Sequence, residues 1–181
     1  MTKTYTLAFK LPVEELDREH RHYVVEATEA ERAQLVERFD IVALNSLSAE
    51  VDAWDGGDER FHLKGHLKAD LVQRCITTLA DVPEKIDSSF ELMLVDAATA
   101  DRMDAEEAYL DPAVPDYDAI EGNEIGLGEI VAQTLAISMN PYPRAEGAEL
   151  EASSGGKVSV NEPELKRPNP FAVLEKLRDE S

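Results

Sequence analysis

One cysteine in 181 residues, Cys75, excludes an internal disulfide. Alone it cannot build a structural zinc site, which typically takes about four Cys or His ligands. Long apolar runs are missing as well. No window approaches the ~18 consecutive apolar residues of a membrane span, and the opening MTKTYTLAFKLPVEEL has neither a basic stretch nor a long apolar run. A soluble, cytoplasmic protein with no membrane partner is expected. Aromatic residues make up 6% of the chain, and its 43% of hydrophobic residues suffice for one core rather than two. Gly122, Gly126 and Gly128 miss the spacing of a dinucleotide loop and read as turn and helix-entry residues. Positive charge is short relative to negative, since 18 Lys and Arg stand against 38 Asp and Glu and leave a net charge of −20.

That charge is unevenly spread. Residues 1–95 hold 19 acids and 11 bases, residues 96–151 hold 14 acids and 2 bases, and residues 152–181 hold 5 of each. The middle segment carries most of the field. Such a surface repels phosphate backbones and attracts basic partners over about one Debye length, roughly 8 Å at physiological salt. The plainer alternative is that the acids only keep the domain soluble.

What is present is β-periodicity around one stretch, Phe61 to Val95. From Phe61 to Cys75, Phe, Leu, Gly, Leu, Ala, Leu, Gln and Cys alternate with His, Lys, His, Lys, Asp, Val and Arg. A period of two is a half-buried strand. Ile86, Phe90, Leu92 and Leu94 then share one face of a second strand, with Asp87, Ser89 and Glu91 on the other. Lys64, Lys68 and Arg74 would pair across with Asp87 and Glu91. A strand of fifteen residues would reach about 50 Å, so a bulge or bend is expected at Gly65. Leu47, Ala49, Val51 and Ala53 alternate in the same way, and Asp55-Gly56-Gly57-Asp58 reads as the hairpin loop joining that strand to the one at Phe61. Thr4 to Leu11 is expected as strand one, and Tyr23 to Val25 mark another near residues 21–26.

Thr28 and Glu31 have capping-box spacing and predict a helix over about 29–39, with Ala33, Val36 and Phe39 facing the sheet. Residues 96–118 read as an exposed acidic excursion with one helical turn before Pro112. From Leu127, Ile130, Val131, Thr134, Leu135, Ile137 and Met139 predict a second packed helix. The polar, glycine-bearing residues 145–169 predict a flexible linker. Asn169-Pro170 then opens a short helix over 170–178 that carries Phe171, Leu174 and Leu177 on one face. The expected fold is α+β: a bent, mainly antiparallel sheet with two packed helices in one domain, 1–144, then the linker and the C-terminal helix.

The strand ending QRCITTL, the helix leading into AISMNPYPR and the terminal NPFAVLEKL together resemble the YceD-like family of large ribosomal RNA subunit accumulation proteins. The family landmarks are Cys75, Leu79, Asn140, Pro141, Pro143, Arg144, Asn169 and Pro170. The resemblance implies a bacterial cytoplasmic protein needed for normal levels of the large-subunit (23S) ribosomal RNA, with no established reaction. Many relatives resemble a metal-binding type with CxxC at the QRCITTL position and further cysteines after the equivalent of NPYPR. Here Thr78 stands at the second cysteine position. Zinc is therefore not carried over, no cofactor is expected, and Cys75 reads as a small buried hydrophobe ending a strand.

His62 and His66 lie four apart, about 13 Å on a strand, too far for one ion to hold both. Neither they nor His20 and His22 are expected to bind metal, and no residue is assigned a catalytic role. The expected function is a non-enzymatic binding or assembly factor in ribosome biogenesis. Its expected partner is a basic large-subunit ribosomal protein or pre-ribosomal particle, met through Asp111, Asp116, Asp118, Glu121 and Glu124, with Phe171, Leu174 and Leu177 as a second contact. The alternatives are an RNA-processing hydrolase and a direct RNA binder using the ribbon face of His62, Lys64, His66, Lys68 and Arg74.

Overall fold

The computed structural model describes residues 4–106, 111–112, 114–120 and 122–148. All of them belong to the first of two units into which the chain divides, Met1–Ala148 and Glu149–Ser181. The class is α+β with a mainly antiparallel sheet, as expected. Its six strands run in the order β1 (Thr4–Tyr5), β3 (Arg21–Glu26), β4 (Ala43–Gly57), β5 (Arg60–Arg74), β6 (Asp81–Val95) and β7 (Tyr117–Ala119), and β4, β5 and β6 form the frame. Each of these three is 15 residues long. The β5/β6 ladder is unbroken from Phe61↔Leu94 to Arg74↔Asp81.

The bulge expected at Gly65 is therefore absent, and the register shifts lie in β4, between Leu44 and Ser46 and between Asp55 and Gly57. Gly65 serves a different need. Its position faces the Phe90 ring, and a Cβ there would collide with it. The hairpin between β4 and β5 also turns later than expected, at Asp58 and Glu59 with φ of 55° and 56°. These follow Gly57, which pairs with Arg60, so the loop is a two-residue turn with both central residues left-handed. The register shift at Asp55/Gly57 moves the turn along the chain, and the Asp55 carboxylate accepts the Gly57 N–H at 2.6 Å.

Alternation puts Leu47, Ala49, Val51 and Ala53 of β4 and Leu63, Leu67, Ala69 and Leu71 of β5 into one buried layer. Two helices cover it. α1 (Glu29–Phe39) opens on the expected capping box: the Thr28 hydroxyl accepts the Glu31 N–H at 3.3 Å, and the Glu31 carboxylate accepts the Thr28 N–H at 2.8 Å. It buries Leu35 and packs Val36 and Phe39 on the core, whereas Ala33, two positions from Leu35 and thus across the helix, faces solvent. α3 (Leu127–Ser138) buries Leu127, Val131, Ala132 and Leu135, while Ile137, expected on the packed face, is 84% exposed.

Thr4–Leu11 does not form one strand. β1 (Thr4–Tyr5) runs parallel to β3 (Arg21–Glu26), a turn closes with the Phe9 N–H on the Thr6 carbonyl at 3.1 Å, and β2 (Leu11–Pro12) pairs with β8 (Glu124–Ile125) in a separate two-stranded sheet. Helix contacts break the strand: α3 lies against the Leu7 backbone at Gly128, and the Glu31 carboxylate of α1 takes the Ala8 N–H at 3.0 Å.

The acidic excursion is also more ordered than expected. A third helix, α2 (Ala97–Ala105), is capped by Asp96, which accepts the Thr99 N–H at 3.0 Å. The turn expected just before Pro112 falls on residues 107–110, outside the described residues. Ala100 joins Met93 and Val95 in a second, smaller cluster, against which Met103 and Tyr117 pack. β7 (Tyr117–Ala119) then adds to the sheet parallel to β6, pairing with Met93–Val95.

Candidate partner-binding surfaces

The acids expected to form one docking surface are spread along the chain from before β7 to β8. Asp116 precedes that strand, and its carbonyl accepts the Met93 N–H at 2.8 Å. Its side chain is exposed and borders a cleft lined by Ser88–Glu91 of β6, Pro112–Asp116 and the C-terminal turn of α3. Asp118 lies within β7 at the edge of the six-stranded sheet, where an exposed excursion was expected, whereas Glu124 lies in β8 of the separate two-stranded sheet. Edge strands pair through their backbones, and exposed acidic side chains do not prevent it. Asp118, Glu124 and Glu129 line a second cleft of about 530 Å³ with Leu94, Ile120, Ile125 and Ile130. Two of these three carboxylates have bases: Lys10 is 3.6 Å from Glu124, and Arg38 holds both oxygens of Glu129 at 2.7 and 2.9 Å. The Arg38 bonds keep the Glu129 carboxyl below its usual range. Asp116 and Asp118 have no ion-pair partner among the described residues. Asp111 is exposed. Glu121, Phe171, Leu174, Leu177, Asn169 and Pro170 lie outside the described residues.

On the opposite face of the meander, charges alternate. Lys64 sits between Asp52 and Glu91, 3.6 Å from the latter. Lys68 lies directly across from Asp87, as expected, and the Asp87 carboxylate is also bonded at 2.9 Å by His66, whose other ring nitrogen meets Ser89 at 3.1 Å. Arg74 pairs in register with Asp81, and His22 meets Asp52 at 2.9 Å. In the row His62, Lys64, His66, Lys68 and Arg74, Lys64 and His66 contact an acid while Lys68 and Arg74 face Asp87 and Asp81 in register, so acids interleave the basic residues across the strands rather than leaving an uninterrupted basic tract. At the hairpin end, Trp54 stacks with His20 and His62 at centroid distances of 4.0 and 5.3 Å.

Two landmark segments that lie far apart in sequence meet at the other end. The loop after β5 is tied to the segment after α3 by the Ile76 N–H on the Pro143 carbonyl at 2.9 Å and by the Gln73 amide on the Asn140 carbonyl at 3.0 Å. Glu84 completes the knot, accepting from Gln73 at 2.6 Å and from the Asn140 N–H at 3.0 Å. Leu79 turns the loop with φ of 61°. Cys75 is fully buried here but is no ordinary hydrophobe. Its sulfur accepts the N–H groups of Thr77 and Thr78, both at 3.4 Å. The Thr78 hydroxyl first, then the Ala145 and Thr78 amides, lower its pKa from 9.0 to about 6. This ring of donors stabilises a thiolate. It does not fit zinc, since the site offers one sulfur, and no group of three or more His, Cys, Asp or Glu able to hold a metal occurs among the described residues. Ile76, Leu79, Ile137 and Tyr142 are the large apolar side chains left exposed among the described residues, and all come from these two landmark segments. Periodicity alone gave no signal for that exposure.

A family model described as "Large ribosomal RNA subunit accumulation protein YceD" matches residues 63–178, more than half of the chain. The chain belongs to the YceD family. No curated protein and no solved structure matches it. The YceD match begins in β5 and takes in the Cys75 loop, α3 and the Asn140–Arg144 segment, so the junction just described lies wholly within the family's span. The family description assigns a role in large-subunit ribosomal RNA accumulation and names no reaction.

Proposed function

We propose that the chain supports accumulation of large-subunit ribosomal RNA as a non-enzymatic binding and assembly factor that holds a basic ribosomal protein, or a basic surface of the pre-ribosomal particle. The observation that supports this most directly is the imbalance of 14 acids to 2 bases over residues 96–151, with Asp116 and Asp118, two residues apart, both exposed on the face of the β7 segment opposite Tyr117. Unpaired surface carboxylates act at a distance, raising the encounter rate with a basic partner and losing that effect as salt rises.

The test is capture of partners from lysate at about 50 and about 500 mM salt, with proteins and RNA both identified. Asp116→Lys and Asp118→Lys combined should keep the melting temperature and lose most of the salt-dependent capture. Glu124 is left intact because it pairs with Lys10. A folded double variant that captures the same basic protein, or restores the ribosomal RNA of a deletion strain, would refute the proposal.

A further inference from the structure

Among the described residues, the β6 edge is unpaired over most of its length. β7 covers only Met93–Val95, and no other described residue pairs with the edge below them. The Met93 N–H and the Val95 carbonyl bond toward β7. The β5/β6 register has no shift, so by the two-residue period Lys85, Asp87, Ser89 and Glu91 turn their N–H and C=O groups to the same side. Pro83 has the same parity and lacks an N–H, as suits the end of an exposed edge. Unpaired donors of this kind are a template for another strand. Beside Ser88–Glu91 runs a cleft of about 580 Å³, lined also by Val114, Asp116 and the exposed Ile137.

We infer that this edge takes up an extended segment of the basic partner as an added strand; the inference rests on the basic-partner reading above. Alternation along such a strand fixes its chemistry. Side chains on one face would lie beside Asp87 and Glu91 and should be Lys or Arg. Those on the other would lie beside Phe90 and Ile137 and should be apolar. A second copy of the chain is disfavoured as occupant because each carries a net charge of −20.

The probe is a synthetic peptide alternating arginine and valine, titrated into the full chain while amide exchange is followed. The peptide should slow exchange at Lys85, Asp87, Ser89 and Glu91. A version N-methylated at alternate residues should not. Ser89→Pro removes one outward donor, and Ile137→Lys alters a solvent-exposed side chain; each should weaken the peptide by about tenfold. Retained melting in either variant keeps the test valid. Equal binding of the N-methylated peptide, or no slowing at the four amides, overturns the inference. So does slowing that appears without peptide as protein concentration rises, which would place a second copy on the edge. If the full basic partner binds the wild type and Ser89→Pro equally, with salt dependence intact, the edge is excluded and the proposed function stands. If the peptide protects the edge but no basic protein is captured, the edge stands and that function falls.

Discussion

Gly128→Ala isolates the contact that reroutes the N-terminal segment. In a helix interior the substitution alone should stabilise by about 1 kcal/mol. Here the new Cβ would overlap the carbonyl oxygen, carbonyl carbon and Cα of Leu7, which are backbone atoms that cannot rotate aside. Either α3 or the turn at Thr6–Phe9 must move. Overpacking of this kind costs about 1–3 kcal/mol, and shifting the turn also weakens the bond from the Ala8 N–H to Glu31, worth about 1 kcal/mol. The net expectation is a loss of about 2 kcal/mol, or a fall of about 4–8 °C in melting temperature for a chain of this size. Gly65→Ala gives the contrast, because its obstacle is the half-buried Phe90 side chain, which can swing; a smaller loss of about 1 kcal/mol is expected. Thermal unfolding by circular dichroism measures both. A Gly128→Ala variant that melts higher than wild type, as propensity alone would have it, would show that Leu7 does not rest on α3.

Cys75 should titrate by its ultraviolet thiolate absorbance near pH 6 rather than 9.0 while reacting slowly with thiol reagents, because the donors lower its pKa and the fold excludes the reagent; a midpoint near 9.0 would remove the donors from the sulfur. A depressed folded pKa stabilises the native state in full above the unfolded value, so the pH-dependent part of the advantage of wild type over Cys75→Ala should be largest above pH 9, shrink as pH falls, and be lost below about 6, leaving only the pH-independent packing difference. Burial pushes the Glu31 carboxyl up, but bonds from Thr28 and Ala8 outweigh it and leave its pKa below 4.5. Glu31→Ala should therefore cost about 1–2 kcal/mol at neutral pH and speed exchange of the Ala8 amide, and this difference should fade as acid takes the wild type through its lowered pKa; an unchanged Ala8 amide would sink the link between α1 and the N-terminal segment.

Local signals proved legible wherever one face of an element is buried. The alternation in β4 and β5, and the Thr28–Glu31 box, pointed to elements the structure contains, because side-chain period and cap chemistry act within a few residues. The misses share another cause. Thr4–Leu11 alternates as a strand should, yet its course is set by Gly128, some 120 residues later in the chain. β7 is three residues long and acidic at its centre, so only the waiting edge of β6 makes it a strand. Cys75 was legible as buried but not as a polar site, since its donors include Ala145, about 70 residues away. Ile137 fits the apolar period of α3 and still faces solvent, because a helix has more apolar phase than the sheet has room to cover.

The order of the elements along the chain sets a timetable for synthesis. The meander of β4, β5 and β6 is complete at Val95, yet the helix that seals Leu63, Leu67 and Leu71 ends only at Ser138. At about 5–20 residues per second, those intervening residues take roughly 2 to 9 s to translate. Throughout that interval the β5 and β6 part of the sheet face is without its covering helix, and nascent chains arrested at this stage of emergence should recruit chaperones.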